Sequence, residues 1–207
     1  MIIVGLAVLA IGALIARDGS VPGWEESVFR AVNDLPGVFY PVLWPVQQLG
    51  VLVVGPAVAI VALVLRRYRL AIAALIVTVA KLVSERLVKA VVTRERPFTS
   101  IGSDIELRGD VSRSGESFVS GHAILVAALA TVIWPYLPAR WRPVLWVLVA
   151  LVMVGRVYVG AHNPLDVVCG AALGVAIGLA VNLLLGAPDG HRHRGATAAE
   201  VSRPVSG

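Results

Sequence analysis

Eight residues able to do chemistry stand at intervals in a chain that is 57% hydrophobic and only 15% charged. An ionisable side chain at the centre of a membrane helix costs roughly 2.5 to 3.5 kcal/mol on insertion scales, so such residues invite a functional explanation. The set combines two histidines and a carboxylate, which can transfer protons, with three cations and a Ser-Gly pair, which can bind an anion. Its members are Lys89, Arg96, Ser120, Gly121, His122, Arg156, His162 and Asp166.

The apolar runs beside these residues predict that all of them lie at helix ends on one membrane face. Ser120 can cap the start of one helix, so that free backbone N–H groups point toward the aqueous boundary. Asn163 can cap another, with Pro164 at its first position and Asp166 at its third. Two helix N-termini beside Lys and Arg side chains attract a multiply charged anion. The pattern therefore predicts a site for an anion such as phosphate.

The elements that must position this site are membrane helices. A chain of 207 residues with this apolar content belongs in a bilayer, where a span needs about 20 mostly apolar residues. We expect an all-α, polytopic membrane helix bundle in one domain, residues 1–186, followed by a disordered cytoplasmic tail at 187–207. About six spans are predicted, at residues 1–16, 47–65, 70–92, 120–137, 143–161 and 164–186.

Two segments near the N-terminus need separate interpretations. Residues 1–16 form a short apolar run that we interpret as a span, with a cleaved signal sequence or a terminal hairpin partner as the alternatives. In residues 23–36 the apolar side chains recur at helical spacing, while Glu25, Glu26 and Arg30 fall elsewhere. This second pattern predicts an interfacial amphipathic helix.

Loop charges indicate an orientation in the membrane, because cytoplasmic loops are enriched in Lys and Arg. The basic links at 66–69 and 138–143 and the basic C-terminal tail are separated from one another by two predicted spans each, so all three lie on the same side of the membrane. We therefore expect both termini in the cytoplasm and the polar loop at 93–119 outside, although Arg17 argues mildly against this. The predicted anion site then faces the extracytoplasmic side of the cell membrane.

The remaining polar and reactive residues have simpler explanations. The net charge of +5 comes from arginines scattered over loops and the tail, so it does not indicate nucleic-acid binding. Cys169 lies alone in an apolar run and is expected to be a small buried residue. Lys81 and Glu85 are four residues apart in one predicted span, where we expect an internal ion pair.

Three short motifs give the chain a family resemblance. Lys89-x6-Arg96-Pro97, then Ser120-Gly121-His122, then Arg156-x5-His162-x3-Asp166 resemble the three-part signature of the type 2 phosphatidic acid phosphatase (lipid phosphate phosphatase) superfamily. The resemblance covers about residues 70–185. The chain departs from the family pattern at Val119, where Pro is usual, and at Gly155, where Ser is usual. The second departure removes a hydroxyl that could contact phosphate.

The resemblance implies a role for each motif residue. His162 would attack phosphorus and form a phosphohistidine, while Asp166 would hydrogen-bond its other ring nitrogen and hold the correct tautomer. His122 would protonate the leaving oxygen and later activate water. The phosphoryl oxygens would be bound by Lys89, Arg96, Arg156, Ser120 and the Gly121 N–H. No metal or other cofactor is required in this scheme.

Three other interpretations compete with a lipid phosphatase. Intramembrane charges can mark a transporter or channel, but these cluster at one face instead of lining a route through the midplane. A vanadium-dependent haloperoxidase has the same residue pattern, but such enzymes resemble soluble helical bundles. A non-catalytic protein that binds lipid phosphate is the third, and the intact nucleophile and acid argue against it.

The expected substrate is an amphiphile whose headgroup reaches the site from the leaflet. Prenyl diphosphate, phosphatidylglycerophosphate, phosphatidate and a phosphorylated lipid-linked sugar are all chemically admissible. Family frequency places polyprenyl diphosphate or a phospholipid phosphate first. The bilayer and this lipid are the partners expected; no obligate protein partner is inferred.

Overall fold

The computed structural model describes residues 1–186, and within this range the chain forms nine α-helices and no β-strand. The predicted all-α helix bundle is confirmed. The predicted tail at 187–207 lies outside the described residues. In chain order the helices are α1 (Ile2–Ala16), α2 (Gly23–Asn33), α3 (Tyr40–Gln47), α4 (Val54–Val64), α5 (Tyr68–Lys89), α6 (Pro97–Ser100), α7 (Gly121–Ile133), α8 (Arg142–Tyr158) and α9 (Pro164–Leu185).

Helix α7 is the centre of the bundle. Its residues 123–132 are all buried, and it packs against α9, α5 and α8. A row of glycines spaced four apart on α9 lets the two helix backbones approach closely, as small residues do in membrane bundles. A Cβ at Gly174, for example, would fall against the carbonyl oxygen of Ile124. The row consists of Gly170, Gly174 and Gly178.

Helix α1 belongs to the same bundle because it packs along α9. At Gly12 the missing side chain makes room for the Cys169 thiol, and at Gly5 it makes room for the Ala172 carbonyl. Cys169 is buried, as expected.

Large apolar side chains cover much of the outer surface of the bundle. A soluble monomer rarely exposes such a continuous apolar surface, whereas lipid-facing helices require one. The outward-facing side chains include Ile3, Ile60, Val64, Leu75, Val79 and Leu184.

Within residues 1–186, two helical segments are long and apolar enough to cross a membrane, Ala139–Tyr158 and Pro164–Leu185, and the bent pair Gly37–Gly50 and Val54–Val64 makes a third if it forms one span. The apolar segments Ile2–Ala16 and Gly121–Tyr136 are shorter. Helix α5 has 22 residues but carries several charged side chains toward its C-terminal end. Apart from 47–65, each predicted segment therefore consists mainly of helix, while only part of them qualify as complete spans by length and composition.

The second predicted span differs from a single helix. Residues Gly37–Gly50 and Val54–Val64 are two helical segments bent by 72° to each other, so the segment predicted as a span at 47–65 is broken and is not a single helix. Pro56 has no N–H to donate to the carbonyl four residues earlier, so it fits best in the first turn of a helix, where that N–H would have no partner. The helix therefore restarts just before Pro56. The break also brings Gly50 into contact with His122.

The predicted amphipathic helix is present as α2, but its buried face is not apolar throughout. Trp24 and Val28 are exposed, as an interfacial helix requires. The buried positions are Glu25, Phe29 and Asn33, which lie four residues apart on one face. The polar residue Glu25 therefore points into the protein.

The basic links gather at the end of the bundle opposite the predicted anion site. Arg69 donates to the carbonyl of Gly186 over 3.3 Å, so the start of α5 meets the end of α9. At the same end, the guanidinium of Arg67 lies 5.9 Å from the Tyr136 ring centroid. Lys89 ends α5 at the other end of the bundle.

The loop at 93–119 contains the single turn α6 and is held against the site end of the bundle. Arg108 donates to the carbonyls of Asn33 and Tyr158 over 2.7 and 2.8 Å, and its guanidinium stacks 4.2 Å from the Tyr158 ring centroid. The Asn33 side chain accepts the Glu106 N–H over 2.9 Å. These bonds join the loop to α2 and α8.

Candidate active site

The motif residues lie where four helices end or begin. Lys89 ends α5, Ser120 is the N-cap of α7, Arg156 lies in the last turn of α8, and His162 lies in the turn before α9. Asn163 is the N-cap of α9, with Pro164 at its first position, as predicted.

The His162 ring is fixed by a backbone carbonyl. Its Nδ1 lies 3.0 Å from the carbonyl oxygen of Ser117 and 3.6 Å from Oδ2 of Asp166. The expected direct hydrogen bond to Asp166 is thus replaced by one to Ser117. Because a carbonyl oxygen can only accept, Nδ1 must carry the proton. The lone pair is therefore on Nε2, which is the nitrogen left for attack.

Asp166 organises the surroundings of His162 instead of bonding its ring directly. Its carboxylate is fully buried. Oδ1 accepts from Arg94 Nη1 over 3.3 Å, and Oδ2 accepts from the Asn163 N–H over 2.8 Å and from the Ser117 hydroxyl. The Ser117 carbonyl accepts from the imidazole, and the Ser117 hydroxyl donates to Asp166. The carboxylate therefore positions the ring indirectly, through Ser117.

A second buried carboxylate completes the network. Arg94 and Glu25 are both fully buried and form a two-point ion pair, with Arg94 Nη2 2.5 Å from Glu25 Oε2 and Nη1 3.2 Å from Oε1. Glu25 also accepts the Leu165 N–H over 2.8 Å in the first turn of α9. Helix α2 is therefore tied through Arg94 to Asp166. None of the three motifs contains this pair; the spacing of Glu25 with Phe29 and Asn33 is the sequence signal that places Glu25 on a buried face.

Several buried donors at the site have no protein acceptor within residues 1–186. The Nε atoms of Arg96 and Arg156 and the Oγ of Ser120 are buried without a partner there, as are Arg94 Nε and the Asn163 amide atoms. Arg96 uses Nη1 to donate to the Ala161 carbonyl over 3.0 Å, which holds its guanidinium at the turn containing His162. Buried donors without acceptors are costly unless a ligand satisfies them. An oxyanion would do so.

The Lys89 ammonium forms an ion pair with a neighbouring carboxylate. Its Nζ lies 2.8 Å from Glu85 Oε1, and Lys81 Nζ lies 2.7 Å from Glu85 Oε2, so the expected Lys81–Glu85 pair is present. A Cβ at Gly121 would meet the Glu85 carboxylate and would lie 2.7 Å from Lys81 Cε. The absence of a side chain at Gly121 therefore lets α5 approach the start of α7.

His122 lies in the first turn of α7, partly exposed. The N–H of Ser120, two residues earlier, donates to the Asp166 carbonyl over 3.1 Å, so the start of α7 lies beside the start of α9. The two histidines therefore share one site, with His162 the more deeply buried of them.

The electrostatic environment keeps His162 neutral. Burial lowers the pKa of His162 well below its ordinary value, and the charges of Arg156, Arg96 and Lys89 lower that pKa further. A neutral imidazole has the lone pair that a nucleophile needs. Within residues 1–186, no three His, Cys, Asp or Glu side chains are grouped so that they could hold a metal ion.

Comparison with other proteins identifies the family. Residues 67–187, more than half of the chain, match the model of the PAP2 superfamily. The chain belongs to the PAP2 superfamily. This confirms the resemblance drawn from the three motifs, and the apolar helices mark this PAP2 protein as a membrane protein.

Three similar proteins can be named. An undecaprenyl-diphosphatase from Sulfolobus acidocaldarius is 32% identical over 120 residues, which are 58% of this chain and 57% of that protein. The chain thus matches little more than half of that relative's length. The crystal structure of a transmembrane PAP2 type phosphatidylglycerolphosphate phosphatase from Bacillus subtilis matches with a TM-score of 0.75 at 22% identity, over 92% of this chain and 98% of that one. The crystal structure of Aquifex aeolicus LpxE matches with a TM-score of 0.63 at 23% identity, over 75% of this chain and 92% of that one.

The two departures from the PAP2 pattern occupy different surroundings. Val119 is fully buried in the core beside α7. A Cβ at Gly155 would lie 3.1 Å from Gln47 Cβ and 3.2 Å from the Leu43 carbonyl oxygen. A side chain at position 155 would therefore begin against α3, a contact that the motif spacing does not predict.

The buried network predicts a large difference between two adjacent glutamates. Glu25→Gln breaks the buried two-point ion pair and leaves Arg94 with Asp166, 3.3 Å away, as its remaining buried counter-charge, and breaking a buried pair costs about 3 to 5 kcal/mol. Glu26→Gln removes only a surface pair with Arg30, worth about 1 kcal/mol or less. We expect thermal unfolding in one detergent to show a much lower melting temperature for Glu25→Gln only. Equal melting temperatures would show that the network contributes nothing to stability.

Proposed function

We propose that this protein hydrolyses a phosphate group from a membrane lipid through a phosphohistidine on His162. The observation that carries the proposal is the buried His162, whose Nδ1 donates to the Ser117 carbonyl and leaves Nε2 unprotonated, in a site where Arg96 Nε, Arg156 Nε and Ser120 Oγ are buried without a protein partner within residues 1–186. A nucleophile among donors that await an oxyanion is the arrangement that phosphoryl transfer needs. Membership of the PAP2 superfamily supports the same activity.

In the first step Nε2 of His162 attacks phosphorus. The new P–N bond forms as the bond from phosphorus to the lipid oxygen breaks, and His122 gives its proton to that oxygen. The ring of His162 becomes cationic, and the Asp166 carboxylate, 3.6 Å from Nδ1, stabilises that charge. Negative charge on the phosphoryl oxygens is stabilised by Lys89, Arg96, Arg156, Ser120 and the Gly121 N–H.

In the second step water attacks the phosphohistidine. His122, now neutral, takes a proton from the water, the P–N bond breaks, and inorganic phosphate leaves. His162 returns to the neutral state with its proton on Nδ1. In the proposed scheme, the guanidinium, ammonium and helix N-terminal groups supply the positive charge at phosphorus, so no metal or cofactor takes part.

The proposed substrates are polyprenyl diphosphates and phospholipid phosphates. An undecaprenyl-diphosphatase is among the relatives by sequence, and a phosphatidylglycerolphosphate phosphatase is among the similar solved structures. The apolar outer surface of the bundle favours a substrate whose hydrocarbon chain stays in the leaflet. We propose residues 1–186 as the phosphatase domain.

A transporter is the second candidate, and the arrangement of charges disfavours it. The described motif side chains gather at one end of the bundle, where α5 and α8 end and α7 and α9 begin. A transport route needs polar groups near the midplane. Lys81 and Glu85 lie deeper on α5, but they are paired with each other.

We also propose that the site opens to the extracytoplasmic side of the cell membrane. The basic links lie at the opposite end of the bundle, joined by the Arg69–Gly186 hydrogen bond and the Arg67–Tyr136 stacking. Basic loops are retained in the cytoplasm.

Phosphate release by the purified protein tests the activity. We expect turnover of at least one polyprenyl diphosphate or phospholipid phosphate, nearly unchanged in EDTA and inhibited by vanadate, which mimics the trigonal bipyramidal phosphoryl centre. His162→Ala should abolish release while Glu26→Gln, a surface change on α2, should retain it. Activity that EDTA abolishes and magnesium specifically restores would contradict the metal-free mechanism, and no release from any lipid would contradict the function.

Cysteine labelling of intact cells tests the orientation. Ser103 and Arg67 are both exposed and lie on the two links in question, and the buried Cys169 can be replaced by Ala to remove background. An impermeant maleimide added outside should label Ser103→Cys and not Arg67→Cys. The reverse pattern would place the site on the cytoplasmic side.

A further inference from the structure

Arg156 is held by a residue that belongs to none of the three motifs. Its Nη1 donates to Oε1 of Gln47 over 2.6 Å, across 109 positions of sequence. Gln47 is the last residue of α3 and is only 3% exposed. A buried amide bonded to a charged guanidinium is a strong, geometrically defined contact.

The glycine beside Arg156 makes room for this contact. A Cβ at Gly155 would lie 3.1 Å from Gln47 Cβ and 3.2 Å from the Leu43 carbonyl, both tighter than most real contacts. A serine at position 155 would therefore push α3 or Gln47 away. The departure from the PAP2 pattern at Gly155 and the presence of Gln47 are thus two parts of one packing arrangement.

The contact leaves the other side of the guanidinium free. Arg156 makes one side-chain hydrogen bond within residues 1–186, and it uses Nη1. Its Nε is buried there without an acceptor. The edge formed by Nε and Nη2 is one that binds an oxyanion with two parallel hydrogen bonds. Because the group is planar, fixing Nη1 also fixes the direction of that edge.

We propose that Gln47 is a positioning residue of the phosphate site, which holds Arg156 so that its Nε–Nη2 edge meets a phosphoryl oxygen. This inference rests on the proposed function, because it assigns the anion to the same site. A neutral amide suits the role, since it accepts a hydrogen bond without cancelling the positive charge of Arg156. A glutamate at position 47 would accept the same bond and also neutralise that charge.

Vanadate binding to the purified protein, measured by thermal shift without any lipid substrate, tests the inference. Gln47→Ala should weaken vanadate binding by roughly tenfold or more, because the guanidinium loses its fixed direction. Gln48→Ala is the matched control, since the adjacent Gln48 side chain makes no hydrogen bond within residues 1–186. Its vanadate affinity should equal that of the wild type.

Two further variants separate positioning from a merely structural role. Gln47→Glu keeps the size and the hydrogen bond, so its melting temperature should stay near that of the wild type while its vanadate affinity falls. Gly155→Ser should weaken binding by displacing Gln47, and the double variant Gly155→Ser with Gln47→Ala should lose less than the sum of the two. In turnover assays the loss should appear in KM more than in kcat, since a bound ground-state phosphate also uses this edge.

The outcomes distinguish this inference from the proposed function. Wild-type vanadate affinity in both Gln47→Ala and Gln47→Glu would overturn the role of Gln47, whatever the lipid assays show. Strictly additive losses in the double variant would overturn the coupling with Gly155. A wild-type protein that binds vanadate but releases no phosphate from any lipid would contradict the proposed function and leave the positioning of Arg156 standing.

Discussion

The buried carboxylate of Asp166 is the interaction on which the rest of the site depends. It accepts hydrogen bonds from Arg94, from the Ser117 hydroxyl and from the N–H of Asn163 at the start of α9. Desolvating a carboxylate is expensive, and only such a set of donors makes it tolerable. Because the Ser117 carbonyl in turn fixes His162, the tautomer of the imidazole depends on this network. Glu25, which pairs with Arg94, extends the network to α2.

Helix packing serves the same end by bringing short segments from distant parts of the chain to one place. The small residues of α9 let α7 approach, so that Ser120 N donates to the Asp166 carbonyl over 3.1 Å. Gly121 admits α5, and Gly155 admits α3. The approach at Gly121 brings α5, which ends at Lys89, to the start of α7, and the approach at Gly155 brings Gln47 to Arg156. Within residues 1–186, the Nε atoms of Arg96 and Arg156 and the Ser120 hydroxyl remain buried without a protein partner, and an oxyanion would satisfy them.

The local parts of this architecture were predictable from the sequence, and the long-range parts were not. Apolar run lengths, the cap at Asn163 and the motif spacings are local signals, and the helices and family they predicted are confirmed. The Glu25–Arg94 pair spans 69 positions, and the Gln47–Arg156 bond spans 109. No local pattern specifies such partners, because they depend on how the helices pack. The bend between α3 and α4 was missed because Pro56 was read as part of a continuous apolar span.

The most direct measurement of the central claim is a search for phosphate on the two histidines. A radiolabelled diphosphate lipid expels a weakly basic phosphate-type leaving group. In the proposed mechanism, phosphorylation of His162 therefore depends little on His122, whereas hydrolysis still needs His122 as a base. After rapid quenching, His122→Ala should therefore carry acid-labile phosphohistidine, and His162→Ala should carry none. Label retained in His162→Ala but absent from His122→Ala would show that the nucleophile and the acid have been exchanged.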